Sequence, residues 1–443
     1  MRFRASEAAH AIGGRLCGPD VSIEGASFDS RSLRPGSLFV PIVAMRDGHD
    51  HIAGALSAGA AASLTSRPVE SLSLPPASTM IEVDDTAAAL MTLGAWARSR
   101  RPDRVVGITG SVGKTSTKDL LAAVLARTLR TAASPRSFNN EQGLPVTILD
   151  SPDDTEVMVL EMGMRGPGQI ARLCAVARPT IGVVTVVGAA HTGLVGGIEG
   201  VERAKGELIE SLEPAGVAVL NADDARVRAM AARTSAQILT FGRALAADVH
   251  VDALRLDEKA RPRFTVRTPW GATEVELAVS GAHMALNAAA AIAAAGTLGV
   301  APDVAAAALA TATVTEGRMQ VLTSPGGAVV VNDAYNANPT SVLAALDALA
   351  AMPARRRIAV LGLMAEIDDP PAGHRLVAAH AARLGIEVLA VAVDLYGVTP
   401  VDDPIRALGP LGSGDVVLVK GSLVAGLQPV AEQFATGVGH PAG

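Results

Sequence analysis

The stretch VVGITGSVGKTSTKDLLAAVL, residues 105–125, leaves a chain few folds to choose from. An apolar run feeds a glycine turn, and Lys114-Thr115 then opens a segment of helical character. Strand, turn and helix in that order gather backbone N–H groups and a helix N-terminus around one point, which makes an anion site. The usual phosphate loop reads Gly, four residues, then Gly-Lys-Ser/Thr. Here the first of those positions is Ile108, and the nearby glycines are Gly107 and Gly110. The loop reads as a displaced variant, with Thr109, Gly110, Ser111, Val112, Gly113, Lys114, Thr115 and Ser116 as the candidate ATP cradle. Lys114 brings a positive charge to the β- and γ-phosphates, and Thr115 a hydroxyl for Mg²⁺. A glycine-rich turn with no ligand is the plain alternative, and Gly-Lys-Thr in this setting argues against it.

Such a loop needs a parallel sheet behind it. The runs RVVGITG, EVMVLEMG, TIGVVTVV and GVAVLNADD each precede a helical or loop segment, as strands alternating with helices do. The polar stretch 248–281 predicts an antiparallel insertion or edge, and HMALNAAAAIAAAGTLG a closing helix. The chain divides into three α/β units. Residues 1–82 form a small first unit, 83–315 a central parallel-sheet unit entered through a connecting helix over 83–104, and 316–443 a Rossmann-like third unit. Strands AVVVNDAY, RIAVLGLM, VLAVAV and DVVLVKGS build the last of these. Residues 1–16 read as an amphipathic helix with Ala8, Ile12 and Leu16 on one face.

Composition excludes some classes. Hydrophobic content is 49% but aromatic content only 2%, so the cores are built of Ala, Val, Leu and Ile. A net charge of −6 argues against a nucleic-acid partner, which needs clustered positive charge. No run reaches the roughly 20 apolar residues of a membrane span, and the first residues lack the apolar core of a signal peptide. Cys17 and Cys174 read as scattered core thiols in a reducing compartment. The expectation is a cytoplasmic monomer with no membrane insertion.

Of 38 basic residues only five are lysines, Lys114, Lys118, Lys205, Lys259 and Lys420. A chain so rich in arginine keeps lysine where the chemistry needs an ammonium or an amine. Glu161, in LEMGMRGPGQ, falls at the carboxyl end of a strand, where ligands of parallel sheets bind and a carboxylate can hold a metal. His191 lies just past another strand, followed by Lys205 in GVERAKGELIE. An ammonium there would repel Mg²⁺. Arg318 offers a guanidinium suited to a phosphate or ribose clamp. Tyr335, Asn336 and Asn338 follow the strand AVVVNDAY, and a helix after Pro339 offers N–H groups to a carboxylate. A simple helix-starting turn explains NANP equally.

The string Gly-Ile-Thr-Gly-Ser-Val-Gly-Lys-Thr resembles the loop of the Mur ligase family, and SGAHMALN, EGRMQVL and NDAYNANP follow in the family's order. FDSRSLRPGSLFVPI, RDGHDHI and SFNNEQGLPVTIL resemble its UDP-sugar-binding parts. The resemblance spans all three units. It implies an ATP- and Mg²⁺-dependent amide ligase of peptidoglycan synthesis, working through an acyl phosphate. NDAYNANP looks like the branch whose partners are UDP-N-acetylmuramoyl-tripeptide and D-alanyl-D-alanine. It further implies that Thr115, Glu161, His191 and a carbamylated Lys205 build the metal sites, with Lys114, His191 and Lys205 catalytic. Asn287, Arg318 and Asp333 would hold the nucleotide. Asp29, Ser30, Arg31, Asn139 and Asn140 would serve the UDP-linked substrate, and Tyr335, Asn336 and Asn338 the dipeptide. The chain departs from the family at Val186, Met284, Leu363 and Leu423. A sister ligase with another acceptor, or a nucleotide-binding regulatory protein without ligase activity, stays open at this point.

Overall fold

The computed structural model describes residues 1–188 and 195–437. Its frame is a nine-stranded sheet. Strands Val105–Thr109, Val157–Glu161, Ile181–Val184, Val217–Asn221 and Gln237–Gly242 lie parallel in it. Successive residues bury on opposite faces: Val106 and Ile108 join one core, Val105 the other, and Val159 and Leu160 divide likewise. Burial on both faces is why these strands read as unbroken apolar runs. The stretch 248–281 supplies Val249–Leu256, which joins Gln237–Gly242 in parallel, and then Pro262–Thr268 and Gly271–Glu276, which extend the sheet as the antiparallel edge the sequence predicts.

On one face lies the phosphate-loop helix Lys114–Leu125, packed against the helix Met284–Thr297. The second helix is buried on all sides, and its alanines permit that close approach. The other face is covered by Gln169–Ala177 and Gly197–Glu210, with Thr86–Arg98, the connecting helix of the sequence reading, packed beyond them.

The N-terminal part holds a five-stranded sheet and a two-stranded one. The first helix, Ala5–Ile12, is shorter than the sequence reading. Gly13 takes φ 65°, and Gly14 N–H donates to Ala9 O at 2.8 Å, which ends the helix. Ala8 is buried on that helix, but Leu16 belongs to the strand Arg15–Cys17. The apolar face expected at Ala8, Ile12 and Leu16 is therefore not a single helical face.

The C-terminal part is a five-stranded sheet in the order Gln320–Thr323, Val329–Asn332, Asp415–Lys420, Arg356–Leu361, Glu387–Ala390. All but the antiparallel first strand run parallel. Its carboxyl edge faces the carboxyl edge of the central sheet across one cavity. Among the described residues, no helix is long and apolar enough to cross a membrane.

Candidate active site

The cavity has a volume of about 670 Å³ and takes its walls from both facing edges. On the central side, the loop after Val105–Thr109 is held by bonds that leave its glycines no alternative. Gly110 has φ 151°, and a Cβ there would lie 1.8 Å from Thr185 Oγ1. Gly113 has φ 86°, and its Cβ would lie 2.5 Å from Asn287 Oδ1. Thr109 and Gly110 thus shape the loop from behind, Thr109 Oγ1 donating to Met162 O at 2.8 Å. Ser111 N–H donates to Val186 O at 2.7 Å, and Ser111 Oγ donates to Gly188 O at 3.0 Å. The contact at Val186 is to backbone, so that departure from the family pattern does not disturb the loop. Ser111, Val112, Gly113, Lys114, Thr115 and Ser116 line the cavity.

Lys114 folds back so that its ammonium donates to Gly110 O at 2.8 Å. Burial lowers its pKa and Arg318 adds to the fall, while the Glu161 carboxylate opposes it. Glu161 is 1% exposed, and its two oxygens are separately engaged. Thr115 Oγ1 donates to Oε2 at 2.8 Å, and Asn139 Nδ2 donates to Oε1 at 2.8 Å. The Glu161 N–H itself donates to Ser134 Oγ at 3.1 Å. Hydroxyl and carboxylate together are hard oxygen donors, the kind Mg²⁺ takes beside phosphates. Lys205 lines the same cavity from the helix Gly197–Glu210, 2% exposed and without a hydrogen-bond or ion-pair partner among the described residues. Burial, with Lys114 nearby, drives its pKa well below the ordinary lysine value. His191 lies outside the described residues, and among those described no three His, Cys, Asp or Glu side chains gather as a metal cluster.

From the closing helix, Asn287 packs its carboxamide on Gly113 and donates from Nδ2 to Met284 Sδ at 3.4 Å. The cavity's far wall belongs to the third sheet. Asp333 accepts from Met319 N–H at 3.1 Å and from the Lys420 ammonium at 2.5 Å, a pair with side chains 13% and 2% exposed. Lys420 also donates to Asn336 O at 2.9 Å. The Arg318 guanidinium lies 4.4 Å from the Tyr335 ring centre, and the Tyr335 hydroxyl meets that of Ser137 in the central unit.

Several expected substrate residues have local work. Asn338 Oδ1 accepts from Ser341 N–H at 2.9 Å, capping the helix Pro339–Ala351. The free N–H groups expected at that helix start are reduced accordingly, since Pro339 has none and Val342 N–H donates to Asn338 O. Asn336 Oδ1 accepts from Ala337 N–H at 2.8 Å. Asn140 Oδ1 accepts from Gly143 N–H at 2.8 Å, shaping the turn into the helix Gly143–Asp150. All three still line the cavity. Asp29, Ser30 and Arg31 lie outside it, in the first unit. There Asp29 accepts from Arg31 Nε at 2.9 Å and Nη2 at 2.8 Å, which holds its carboxyl pKa down at about 2.

Sequence reasoning missed three contributors. Lys118, 2% exposed, donates to Ser134 O at 2.7 Å and Arg136 O at 2.9 Å, fixing the segment that carries Asn139. The scarcity of lysine was the available signal. Lys420 holds Asp333; the same scarcity marks the lysine, but nothing local names its partner. His283 lines the cavity with its Nδ1 unpartnered among the described residues.

Comparison with known proteins agrees with this layout. Residues 108–295 match the Mur ligase middle domain, and 317–423 the Mur ligase glutamate ligase domain. The UDP-N-acetylmuramoyl-tripeptide--D-alanyl-D-alanine ligase of Mycobacterium tuberculosis is 39% identical over 98% of this chain and 97% of its own. The Escherichia coli protein of the same name is 34% identical over 89% and 87%. A crystal structure of MurF from Acinetobacter baumannii superposes with a TM-score of 0.86 at 27% identity, covering 98% of this chain and 99% of its own. MurF ligase from Thermotoga maritima, solved in complex with ADP, gives 0.81 at 28% identity, covering 93% and 97%. With both family domains present in order and close relatives along its length, the chain belongs to the Mur ligase family.

Proposed function

We propose that the chain is the ATP-dependent ligase that joins D-alanyl-D-alanine to UDP-N-acetylmuramoyl-tripeptide in cytoplasmic peptidoglycan precursor synthesis. The observation that carries this reading is the single cavity in which the phosphate loop and Glu161 of one sheet edge face Arg318, Asp333 and Lys420 of another. The named relatives supply the substrates. We assign 1–82 to the UDP-linked substrate, with Asp29, Ser30 and Arg31 as contacts, 83–315 to ATP, and 316–443 to the acceptor.

The tripeptide's terminal carboxylate attacks the γ-phosphorus, the bond to the β-phosphate oxygen breaks, and ADP and an acyl phosphate form. The dipeptide amine then attacks the acyl carbon, phosphate leaves, and the amine's proton passes to solvent. No protein nucleophile is required; the chain supplies position and charge. Lys114 swings from Gly110 O to the transferred phosphoryl group, and Arg318 and Asp333 hold the nucleotide from the third unit. Thr115 and Glu161 would hold Mg²⁺, which when bound neutralises phosphate charge. Asn139 fixes the Glu161 carboxylate. Lys205 is carbamylated: burial lowers the pKa of its amine and so favours the neutral form, which attacks CO₂, and the product is an anion where an ammonium would oppose the metal. Tyr335, Asn336 and Asn338 border the acceptor end, where Leu423 is 61% exposed at the rim.

Phosphate and amide formation measured across UDP-muramoyl peptides and a set of acceptors tests the reading. D-Ala-D-Ala should be preferred over free D-alanine or a diamino acid, whose shorter or differently charged backbones leave polar groups unpaired. Comparable turnover with those acceptors would move the assignment to a sister ligase.

A further inference from the structure

Among the described residues, hydrogen bonds tie the segment leading into the third unit, and the third unit itself, to the central unit. At the end of the central unit, the Asp119 carboxylate, on the phosphate-loop helix, accepts from the Thr315 N–H and hydroxyl, each at 2.8 Å. Across the cavity, the Tyr335 hydroxyl hydrogen-bonds the Ser137 hydroxyl. Neither catalysis nor substrate binding accounts for the second contact. Ser137 lies between Arg136, whose carbonyl Lys118 holds, and Asn139, which donates to Glu161. The other face of this link is Arg318, stacked on the Tyr335 ring. One aromatic side chain thus connects the guanidinium at the nucleotide end with the segment that fixes the metal-facing carboxylate.

We propose that the Tyr335–Ser137 bond is a latch that keeps the third unit shut while the acyl phosphate exists, and that Tyr335 is a positioning residue rather than a ligand of the dipeptide. The inference rests on the ligase reading above. An acyl phosphate has a competing fate. Water adds to its acyl carbon, the bond to the phosphate oxygen breaks, and carboxylate and inorganic phosphate are released with a proton to solvent. ATP is then consumed without an amide. Closure that excludes water suppresses this route. A single hydroxyl–hydroxyl bond biases closure by about two- to tenfold.

The test compares the full-length wild type with Tyr335→Phe, Ser137→Ala and the double variant, measuring phosphate and amide in the same reaction. Phenylalanine keeps the ring under Arg318 and removes only the hydroxyl. Each single variant should raise the phosphate-to-amide ratio about two- to tenfold, and the double variant should go no further, because both remove one bond. KM for ATP should stay within about twofold, since the stack survives. A wild-type ratio in Tyr335→Phe, or effects that multiply in the double variant, overturns the latch and leaves the ligase reading standing. A wild type that forms no amide with any acceptor overturns both.

Discussion

The two sheet edges that face each other across the cavity do related work by different means. The phosphate loop of the central edge is shaped by backbone: Gly110 and Gly113 bring the chain close to Thr185 and Asn287, and Ser111 and Lys114 are met by neighbouring carbonyls. The third edge is made of side chains that reach one another over long sequence separations, Lys420 to Asp333 and Arg318 to Tyr335. A backbone device has to be written in one short string, since each residue's conformation is set locally. A side-chain device needs only that two strands end side by side.

The largest expected effect lies on the central edge. Lys114→Ala should lower ATP turnover by at least about 10²–10³-fold, the scale of losing one charge-stabilising donor. Binding of the UDP-tripeptide, measured by calorimetry, should be nearly unchanged, because Asp29 and Arg31 lie outside the cavity. A lost sugar site with intact ATP turnover would reverse the assignment of the two units. Lys205 comes next. Lys205→Ala should be nearly inactive and partly recovered by short-chain carboxylates that occupy the vacated place. Lys205→Arg should stay inactive, since a guanidinium forms no carbamate; full activity there sinks the carbamate. The pKa of Lys205 is lowered, so the neutral amine, and with it carbamate occupancy in bicarbonate, rises as pH climbs through that depressed value. Intact-protein mass measured across pH reads this without an assay of activity.

These differences also explain what could be read in advance. The phosphate loop, Glu161 at its strand end and the alternation of strands and helices follow from local pattern, and the structure has them where the sequence puts them. Residues 1–16 were harder: apolar spacing continued past Ile12, and only the left-handed Gly13 ended the helix. Asn140 and Asn338 are polar in sequence, yet their side-chain oxygens serve neighbouring backbone N–H groups. Asparagine does both jobs with the same atoms, so its type alone cannot decide between them. Lys118 and Lys420 act through carbonyls and a carboxylate supplied by other elements, which no local motif records.

On the third edge, breaking the buried pair should cost stability before it costs chemistry. Lys420→Met leaves the Asp333 carboxylate, 13% exposed, without its cation. Removing one partner of a buried pair costs about 3–5 kcal/mol. Denaturant melting should therefore show a large loss for Lys420→Met and for Asp333→Leu, and a smaller one for the two together. A double variant as unstable as the sum of the singles would mean that the residues act independently.

The smallest effect, and the most discriminating, concerns Asn139. The family resemblance places it with the UDP-linked substrate, whereas its Nδ2 donates to Glu161 Oε1 at 2.8 Å and a Cβ on Gly163 would lie within 2.9 Å of its carboxamide. An amide so confined is better placed to orient a carboxylate than to follow a substrate. Asn139→Ala removes one of the two side-chain donors to Glu161 and leaves Thr115 in place. Loss of such an outer partner at a metal site lowers metal affinity or activity by about 10- to 100-fold. The loss should fall on kcat and on the Mg²⁺ concentration needed for half-maximal rate, with KM for the UDP-tripeptide within about threefold of wild type. If KM for the UDP-tripeptide rises instead and the Mg²⁺ dependence is unmoved, Asn139 belongs to the substrate, and the central edge is less purely a device of loop and metal than its hydrogen bonds indicate.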